Sequence, residues 1–252
     1  QLVVMGNAYI TAPCLQELMQ RDIPVSWYSY GGWFYVHTIG TGHKNVLIRT
    51  AQYKKSFDEQ ESLCIARSLI AGKISNSRVM VRRNWKRKEK PEESLKKMQS
   101  LKDKAERIHN LQELLGIEGS AASEYFSCFE GMIKQNDTLE TFHFTKRNKR
   151  PPRDPINALL SFAYSLLVRS WTVVLSSVGL DPYRGFYHQP RYGRPALALD
   201  MMEPFRSIIA DSVVLGAINN GELNETDFLQ AKSGTALKPS GRKKFIKAYE
   251  RR

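Results

Sequence analysis

The sequence predicts a mixed fold, with a small β-rich lobe at the N-terminus and a larger all-α domain after it. Within about the first 40 residues, short runs of β-branched and aromatic residues alternate with glycine turns. From about Ser56 onward, apolar residues recur at the three- and four-residue spacing of helices. These patterns predict a β-rich domain over residues 1–43, a linker over 44–55 and a helical domain over 56–252.

Turn residues punctuate the N-terminal lobe and set the bounds of its elements. Thr11 suits the cap of a helix of about ten residues, and Pro13 suits its first turn. The turn at 31–32 is a glycine pair, which favours a hairpin between the runs on either side. The predicted extended segments are residues 2–5, 8–10, 23–28 and 33–39.

The remainder of the chain reads as helices joined by polar segments. Residues 136–154 are polar and contain prolines, so we expect them to cross the surface. Residues 196–199 form a short apolar, strand-like run. The chain opens inside an apolar run and closes inside a helical pattern, so we expect the natural protein to extend beyond both ends. The predicted helices are residues 56–88, 91–109, 110–134, 155–178, 203–220 and 242–252.

Positive charge is concentrated in three segments. The formal net charge is +13 and the pI is about 9.7. Residues 78–104 hold eleven Lys and Arg against four Asp and Glu, residues 146–153 hold five against none, and residues 242–252 hold six against one. Clustered cations attract polyanions, which favours a nucleic-acid partner. Solvated loops and a membrane surface remain alternatives, although the basic segments lack an amphipathic apolar face.

The three cysteines suggest neither a zinc site nor a disulfide framework, because Cys14, Cys64 and Cys128 lie far apart. A reducing cytoplasm is therefore the expected location. No signal peptide is evident, and no apolar run approaches the ~20 residues that span a bilayer.

Glu118 is the first candidate functional residue. A helix over 110–134 places it on one face with Leu114, Ala121 and Tyr125, and that face is otherwise apolar. An ionised carboxylate there needs a positive partner. A metal ion would supply it, and so would a lysine or arginine.

Three further residues offer polar groups near the helix predicted at 203–220. His188 follows aromatic residues in a loop, where an imidazole can bind metal, transfer a proton or hydrogen-bond to the core. Asp200 and Glu203 are spaced to share a helix face and one cation. The same Asp-x-x-Glu spacing also suits a helix cap.

Carboxylates with one imidazole favour hard cations, so the sequence predicts Mg²⁺ or Mn²⁺ as the cofactor. Beside basic segments, such a site suits phosphodiester chemistry. The sequence contains no Gly-x-Ser-x-Gly motif and no Gly-rich phosphate loop.

These motifs, in this order, resemble the family of CRISPR-associated protein one, the integrase of CRISPR spacer acquisition. The resemblance covers nearly the whole chain. Its motifs are residues 4–7 (VMGN), 22–25 (DIPV), 116–119 (GIEG), 157–164 (NALLSFAY), 179–182 (GLDP), 185–188 (GFYH) and 199–206 (LDMMEPFR).

The resemblance implies that Glu118, His188 and Glu203 bind the metal, with Asp200 as a ligand or as a support for one. The family often has Asp where Glu203 stands. The implied reaction is attack of a DNA 3′-hydroxyl on a phosphodiester of the CRISPR repeat, catalysed by the helical domain. A nuclease without strand transfer and a non-catalytic DNA-binding scaffold are the alternatives.

The implied partners are double-stranded DNA as prespacer and repeat, a second copy of the chain, CRISPR-associated protein two bridging two dimers, and a fused or associated end-trimming nuclease.

Trp85 is expected either to stack on a base or to pack against its own helix. The candidate DNA contacts are Arg82, Arg83, Lys86, Arg87, Lys88, Lys146, Arg147, Lys149, Arg150, Arg153, Arg191 and Arg194.

Overall fold

The computed structural model describes residues 1–40, 44–134, 142–232 and 234–252. The chain forms two compact units. Unit 1 comprises Gln1–Ser62 and Val168–Met201, and unit 2 comprises Leu63–Leu167 and Met202–Arg252. Residues 168–201, which the sequence assigned to the helical domain, therefore belong to the same unit as the β-rich lobe.

Unit 1 contains a three-stranded sheet in the order β1-β2-β3, with β1 parallel and β3 antiparallel to β2. The central strand supplies the buried residues Val25 and Tyr28, as its β-branched and aromatic composition predicts. Residues 8–10 form no strand, so that prediction is wrong. The elements of this lobe are β1 (Leu2–Met5), α1 (Ala12–Gln20), β2 (Val25–Tyr28) and β3 (Phe34–Thr38).

Helix α2 (Val46–Phe57) occupies most of the segment that the sequence assigned to a linker. It is separated from α3 (Glu59–Asn84) by Asp58, whose carboxylate accepts the N–H groups of Gln60 and Glu61. Such a cap starts a new helix, because it satisfies amides that have no partner within the first turn. The single helix predicted over 56–88 is therefore wrong at its start.

One side chain of α2 fixes the loop that carries His188. Gln52 is 4% exposed and donates to the carbonyl oxygens of Asp181 and Arg184 at 2.8 and 2.7 Å. Its own amide oxygen accepts the Asp181 N–H at 2.9 Å. A buried amide with three good hydrogen bonds holds the loop backbone rigidly.

The loop lies between α6 (Pro155–Ser177) and α7 (Ala196–Met202). Gly179, at φ +85°, takes the left-handed conformation that commonly ends a helix. The strand-like assignment of 196–199 is wrong, because these residues begin α7. Four consecutive apolar residues show no period, and burial of Leu197 on the helix accounts for them equally well.

Unit 2 confirms the predicted larger helical part of the fold. The chain leaves α7 through a 3₁₀ turn (Glu203–Phe205) and a π-helical turn (Arg206–Asp211) before α8 (Ser212–Asn219). The helix predicted over 203–220 is thus irregular in its first half. Unit 2 also contains α4 (Glu92–Ala105), α5 (Leu111–Ser127), a hairpin of β4 (Phe228–Ala231) and β5 (Gly234–Leu237), and α9 (Pro239–Glu250).

Large apolar side chains fill the centre of unit 2. The fully buried ones include Ile70, Ile74, Met98, Leu114, Phe129, Met132, Ile156, Leu159 and Leu160. Within the described residues, α6 alone is long and apolar enough to span a membrane, and 44% of its most apolar window is buried. The sequence-based expectation that no apolar run is long enough to span a bilayer is therefore wrong for α6. The core helix of a protein outside the membrane can be equally long and apolar. Part of the predicted surface segment 136–154 lies outside the described residues.

Candidate metal centre

Helix α5 places Glu118 as the sequence predicts. Asn110 caps the helix by accepting the Glu113 N–H at 2.8 Å. Leu114 and Ala121, on the same face as Glu118, are 0% and 4% exposed. Glu118 itself is 20% exposed and forms an ion pair with Lys73 of α3. The alternative partner considered for this carboxylate, a basic side chain, is therefore present.

Glu203 meets the same lysine. Its side chain is 4% exposed, and its Oε2 lies 2.7 Å from Lys73 Nζ and 2.9 Å from Arg206 Nε. The 3₁₀ and π-helical turns place both Glu203 and Arg206 at this point of the chain. Two carboxylates from different elements thus converge on one ammonium group, which itself is 14% exposed. A buried carboxylate pair requires such compensation, since like charges at close range repel.

Arg206 extends this cluster towards a third carboxylate. Its guanidinium lies 4.6 Å from the centre of the Tyr164 ring. The Tyr164 hydroxyl donates to Asp211 Oδ1 at 2.6 Å, and the Tyr125 hydroxyl donates to Asp211 Oδ2 at 2.8 Å. Burial lowers the pKa of Arg206, but the Glu203 carboxylate more than offsets this and raises it above its ordinary value.

Asp211 is 1% exposed, and burial raises its pKa to about 6 although both tyrosine hydroxyls and Arg206 act in the opposite direction. The sequence analysis missed Asp211, Tyr125 and Tyr164 as site residues. The available signal was an acidic residue inside an apolar helical run at 208–214. Tyr164 also stands in the segment 157–164 that carries the resemblance, and Tyr125 stands on the apolar face that the sequence assigned to Glu118.

In unit 1, Asp200 holds His188 and the backbone around it. Asp200 is 0% exposed. Its Oδ2 accepts the N–H groups of Phe186 and Tyr187 at 2.6 and 3.0 Å, and its Oδ1 accepts the N–H of His188 at 2.8 Å. The same Oδ1 lies 2.7 Å from His188 Nδ1. An ionised carboxylate can only accept, so Nδ1 carries the proton of this hydrogen bond.

The capping role considered for Asp200 is wrong, because this residue lies inside α7 and its carboxylate turns to the 186–188 backbone. The close approach requires Gly185. A Cβ atom there would lie 2.6 Å from Asp200 Oδ2 and 2.9 Å from the carbonyl carbon of Ala196. No ordinary side chain fits at this position without movement.

The basic residues predicted to contact DNA differ in exposure and fall into three sets. Arg87 donates to the carbonyl oxygens of Glu130 and Ile133, and Arg147 donates to Asn157 and Ser161. These two arginines support the fold, and Arg194 is only half-buried. The exposed members are Arg82, Arg83, Lys86, Lys88, Lys146, Lys149, Arg150, Arg153 and Arg191.

Two further features bear on this surface. Partial burial lowers the pKa of Lys149, and the charges of Arg206, Arg147 and Lys73 lower it further, whereas Glu118 acts in the opposite direction. The Trp85 ring packs against Gly131, where an added Cβ would lie 2.0 Å from the ring, and its indole N–H donates to the Glu89 carbonyl at 2.6 Å. Trp85 therefore packs, but against the 3₁₀ turn Glu130–Met132 and not against its own helix α3, which ends at Asn84, so the predicted packing partner is wrong.

The structure brings Glu118 and Glu203 together in unit 2 and His188 and Asp200 together in unit 1. Within the described ranges, no group of three or more His, Cys, Asp or Glu is arranged to hold a metal ion. The donors nevertheless fit a hard divalent cation. Glu118 and Glu203 already share a cation, and a histidine anchored through Nδ1 by a carboxylate is the usual form of a metal-ligating histidine.

Comparison with known proteins identifies the family. The family described as "CRISPR associated protein Cas1" matches residues 1–251. The chain belongs to the Cas1 family. It is 54% identical over its full length to a CRISPR-associated exonuclease Cas4/endonuclease Cas1 fusion of Geobacter sulfurreducens, of which it covers 46%. The chain thus spans about half the length of the fusion proteins that it matches.

Solved Cas1 structures share this fold. A CAS1 protein from Thermotoga maritima superposes with a TM-score of 0.80 at 27% identity, over 99% of this chain and 77% of that one. A Cas6-RT-Cas1–Cas2 complex superposes with a TM-score of 0.77 at 28% identity, over 98% of this chain and 27% of that one. The predicted fold class and the resemblance stated from the motifs are both confirmed.

Proposed function

We propose that this Cas1-family chain catalyses the insertion of short DNA fragments into a CRISPR repeat. The observation that supports this proposal most directly is that Glu118 and Glu203 both pair with the Lys73 ammonium, in a protein with a large excess of basic residues. In the proposed reaction, a fragment's 3′-hydroxyl attacks a phosphodiester of the repeat, and the displaced 3′-oxygen leaves. One phosphodiester replaces another, so no nucleotide cofactor is consumed. Water in place of the 3′-hydroxyl gives cleavage, which is the endonuclease activity named for its relatives.

The proposed cofactor is Mg²⁺ or Mn²⁺, with Glu118, Glu203 and His188 as ligands. Bound metal would offset negative charge on the phosphoryl and leaving oxygens. Asp200 acts on His188 rather than on the metal, since its two oxygens are occupied by three backbone N–H groups and the imidazole. Held in this way, the ring keeps one tautomer and one orientation.

The exposed basic residues supply the proposed DNA surface. Cations on phosphates position a duplex without reading its sequence, so affinity should fall steeply with salt. The proposed assembly is two dimers of the chain bridged by Cas2, and the similarity to a Cas6-RT-Cas1–Cas2 complex supports the association with Cas2. Association with a nuclease that trims DNA ends is supported by the Cas4/Cas1 fusion relative. A reducing cytoplasm is the proposed location.

A strand-transfer assay tests this function. The whole protein is incubated with Mn²⁺, a fragment bearing a free 3′-hydroxyl and a supercoiled plasmid carrying the repeat. We expect Glu118→Gln and His188→Ala each to lower the yield of joined product at least about 100-fold. Each substitution removes one proposed ligand of the metal that would act on the phosphodiester. Glu61→Gln is the control, since Glu61 forms an exposed ion pair with Lys55 and lies outside the proposed site.

The alternatives give different products. Cleavage of the plasmid without joining would support a nuclease that lacks strand transfer. Joined product that persists in both site variants would exclude metal-dependent catalysis by these residues. DNA binding without either product in the wild type would support a scaffold.

A further inference from the structure

We propose that Lys73 is an internal counter-ion that holds Glu118 and Glu203 together before metal binds and leaves their shared position when a divalent cation arrives. The inference rests on the proposed function, because it assumes that these two glutamates are metal ligands. It assigns a role to a residue that none of the sequence motifs contains. Lys73 would be a positioning residue for the metal site.

The contacts of Lys73 are those of a substitute cation. Its ammonium pairs with both carboxylates, at 2.7 Å for Glu203 Oε2, and it is 14% exposed. Arg206 is the second cation of the cluster. The two glutamates are balanced by one ammonium and one guanidinium, and Asp211 lies beyond Arg206. A divalent ion added between the glutamates leaves an excess of positive charge even when Asp211 is ionised, so binding favours the departure of one resident cation.

Lys73 is the cation that can leave. Arg206 is held over the Tyr164 ring at 4.6 Å and its planar fork is fixed by that stacking. A lysine ammonium sits on a flexible four-carbon stem, and its charge can move by several ångströms without backbone movement. When a divalent cation binds, the Lys73 ammonium therefore moves away, while the Glu118 and Glu203 carboxylates stay in place.

The backbone of α3 does not depend on this ion pair for its position. Asn76 donates to the Pro204 carbonyl at 2.8 Å, and a Cβ on Gly72 would lie in ordinary contact with the Pro204 ring at 3.6 Å. The neighbours Ile70 and Ile74 are 0% and 1% exposed. Substitution of Lys73 therefore removes the charge and leaves the α3 contacts to the 203–205 turn.

The exchange predicts opposite effects of Lys73→Met on two measurable quantities. In the metal-free protein, two carboxylates lose their shared partner, so the thermal midpoint falls. In the presence of Mn²⁺ the competitor is gone, so Mn²⁺ binds about tenfold tighter and raises the midpoint by more than it does in the wild type. A lysine that merely stabilised the fold would lower the midpoint equally in both conditions.

The experiment measures Mn²⁺ binding by electron paramagnetic resonance and thermal midpoints in EDTA and in Mn²⁺. It compares wild type, Lys73→Met, Lys73→Gln and the matched control Lys97→Met. Lys97 also bridges to a carboxylate of α5, Glu124 at 2.5 Å, but is 60% exposed and lies outside the cluster. The Lys73→Gln variant keeps a polar group and serves if Lys73→Met does not fold.

The expected result is tighter Mn²⁺ binding with a larger Mn²⁺-induced shift in the Lys73 variants, and wild-type values for both in Lys97→Met. Equal or weaker Mn²⁺ binding in the Lys73 variants, with the wild type still binding Mn²⁺, would overturn the counter-ion proposal and leave the proposed function standing. Absence of Mn²⁺ binding by the wild type would overturn both.

Discussion

Two carboxylates that lie three residues apart are satisfied in different ways. Asp200 and Glu203 are buried to a similar degree, with side chains 0% and 4% exposed. Asp200 is surrounded by three backbone N–H groups and an imidazole, whereas Glu203 is surrounded by the side-chain cations of Lys73 and Arg206. Both arrangements offset the cost of burying a negative charge.

The difference separates a structural carboxylate from an exchangeable one. Backbone N–H groups cannot leave Asp200 without unfolding the 186–188 segment, so Asp200 shapes the loop and orients His188. A lysine side chain can leave Glu203 by rotation, which makes the Glu203 oxygens available to another cation. The roles of Asp200 and Glu203 therefore do not follow from their proximity in sequence. They follow from the atoms that each carboxylate contacts.

The largest expected effect tests this separation by removing the Asp200 charge. Asp200→Asn replaces one accepting oxygen with an NH₂ group that faces N–H donors, leaving two of them without an acceptor. We expect a loss of about 4 kcal/mol in the free energy of unfolding, measured in urea. Glu203→Gln should cost less, about 1–2 kcal/mol, because Lys73 keeps Glu118 and Arg206 keeps the Tyr164 ring.

The two variants should also differ towards Mn²⁺. Glu203→Gln should abolish most of the Mn²⁺-induced rise in the thermal midpoint, since it removes a proposed ligand. A Glu203 variant that loses as much stability as the Asp200 variant, while keeping its response to Mn²⁺, would contradict the assigned roles.

The sequence could predict the need for these partners but not their identity. The apolar face of α5 shows that Glu118 requires compensation, yet Lys73 lies 45 residues away and no local pattern connects the two. The role of Asp200 was obscured because 196–199 resembles a strand. Charge runs likewise located basic segments, but they could not show that Arg87 and Arg147 turn inward to carbonyl and amide oxygens.

The periodicity of apolar residues predicted the fold class, but it could not predict the irregular elements. Helical spacing predicted α6 to within one residue at each end, because its pattern repeats over more than six turns. It also placed the starts of α4 and α5 to within one residue, but the predictions 91–109 and 110–134 are wrong at their ends, since α4 ends at Ala105 and α5 at Ser127. The π-helical turn that carries Arg206 and Asp211 has no sequence signature, and the hairpin of β4 and β5 is too short to show alternation.

Asp211 provides the second test, as a buried carboxylate satisfied mainly by neutral hydroxyl groups. Its pKa of about 6 in the folded protein lies above the ordinary value of 3.8. Folding therefore favours the protonated form: the resulting stability is fully present below about pH 4 and is lost as the pH rises through about 6. The contribution is about 3 kcal/mol.

Asp211→Asn removes this titration while keeping an acceptor for one tyrosine hydroxyl. We expect the stability of the wild type, relative to the variant, to fall by about 2 kcal/mol between pH 4 and pH 7, because the unfolded chain is already partly ionised at pH 4. Urea unfolding of both proteins at each pH measures the difference, in which the titration of other groups cancels. Parallel pH profiles would show that Asp211 does not titrate in this range.

The smallest expected effect tests the close approach on which the Asp200 arrangement depends. Gly185→Ala places a methyl group 2.6 Å from Asp200 Oδ2 and 2.9 Å from a backbone carbon of Ala196, and backbone atoms cannot turn aside as a flexible side chain can. We expect a loss of about 2 kcal/mol. Gly116→Ala is the matched control: an added Cβ meets nothing within 4 Å, and alanine favours the interior of α5 by about 1 kcal/mol. If both substitutions stabilise the protein, the 186–188 backbone can move away from Asp200, and the rigid orientation of His188 inferred from it is wrong.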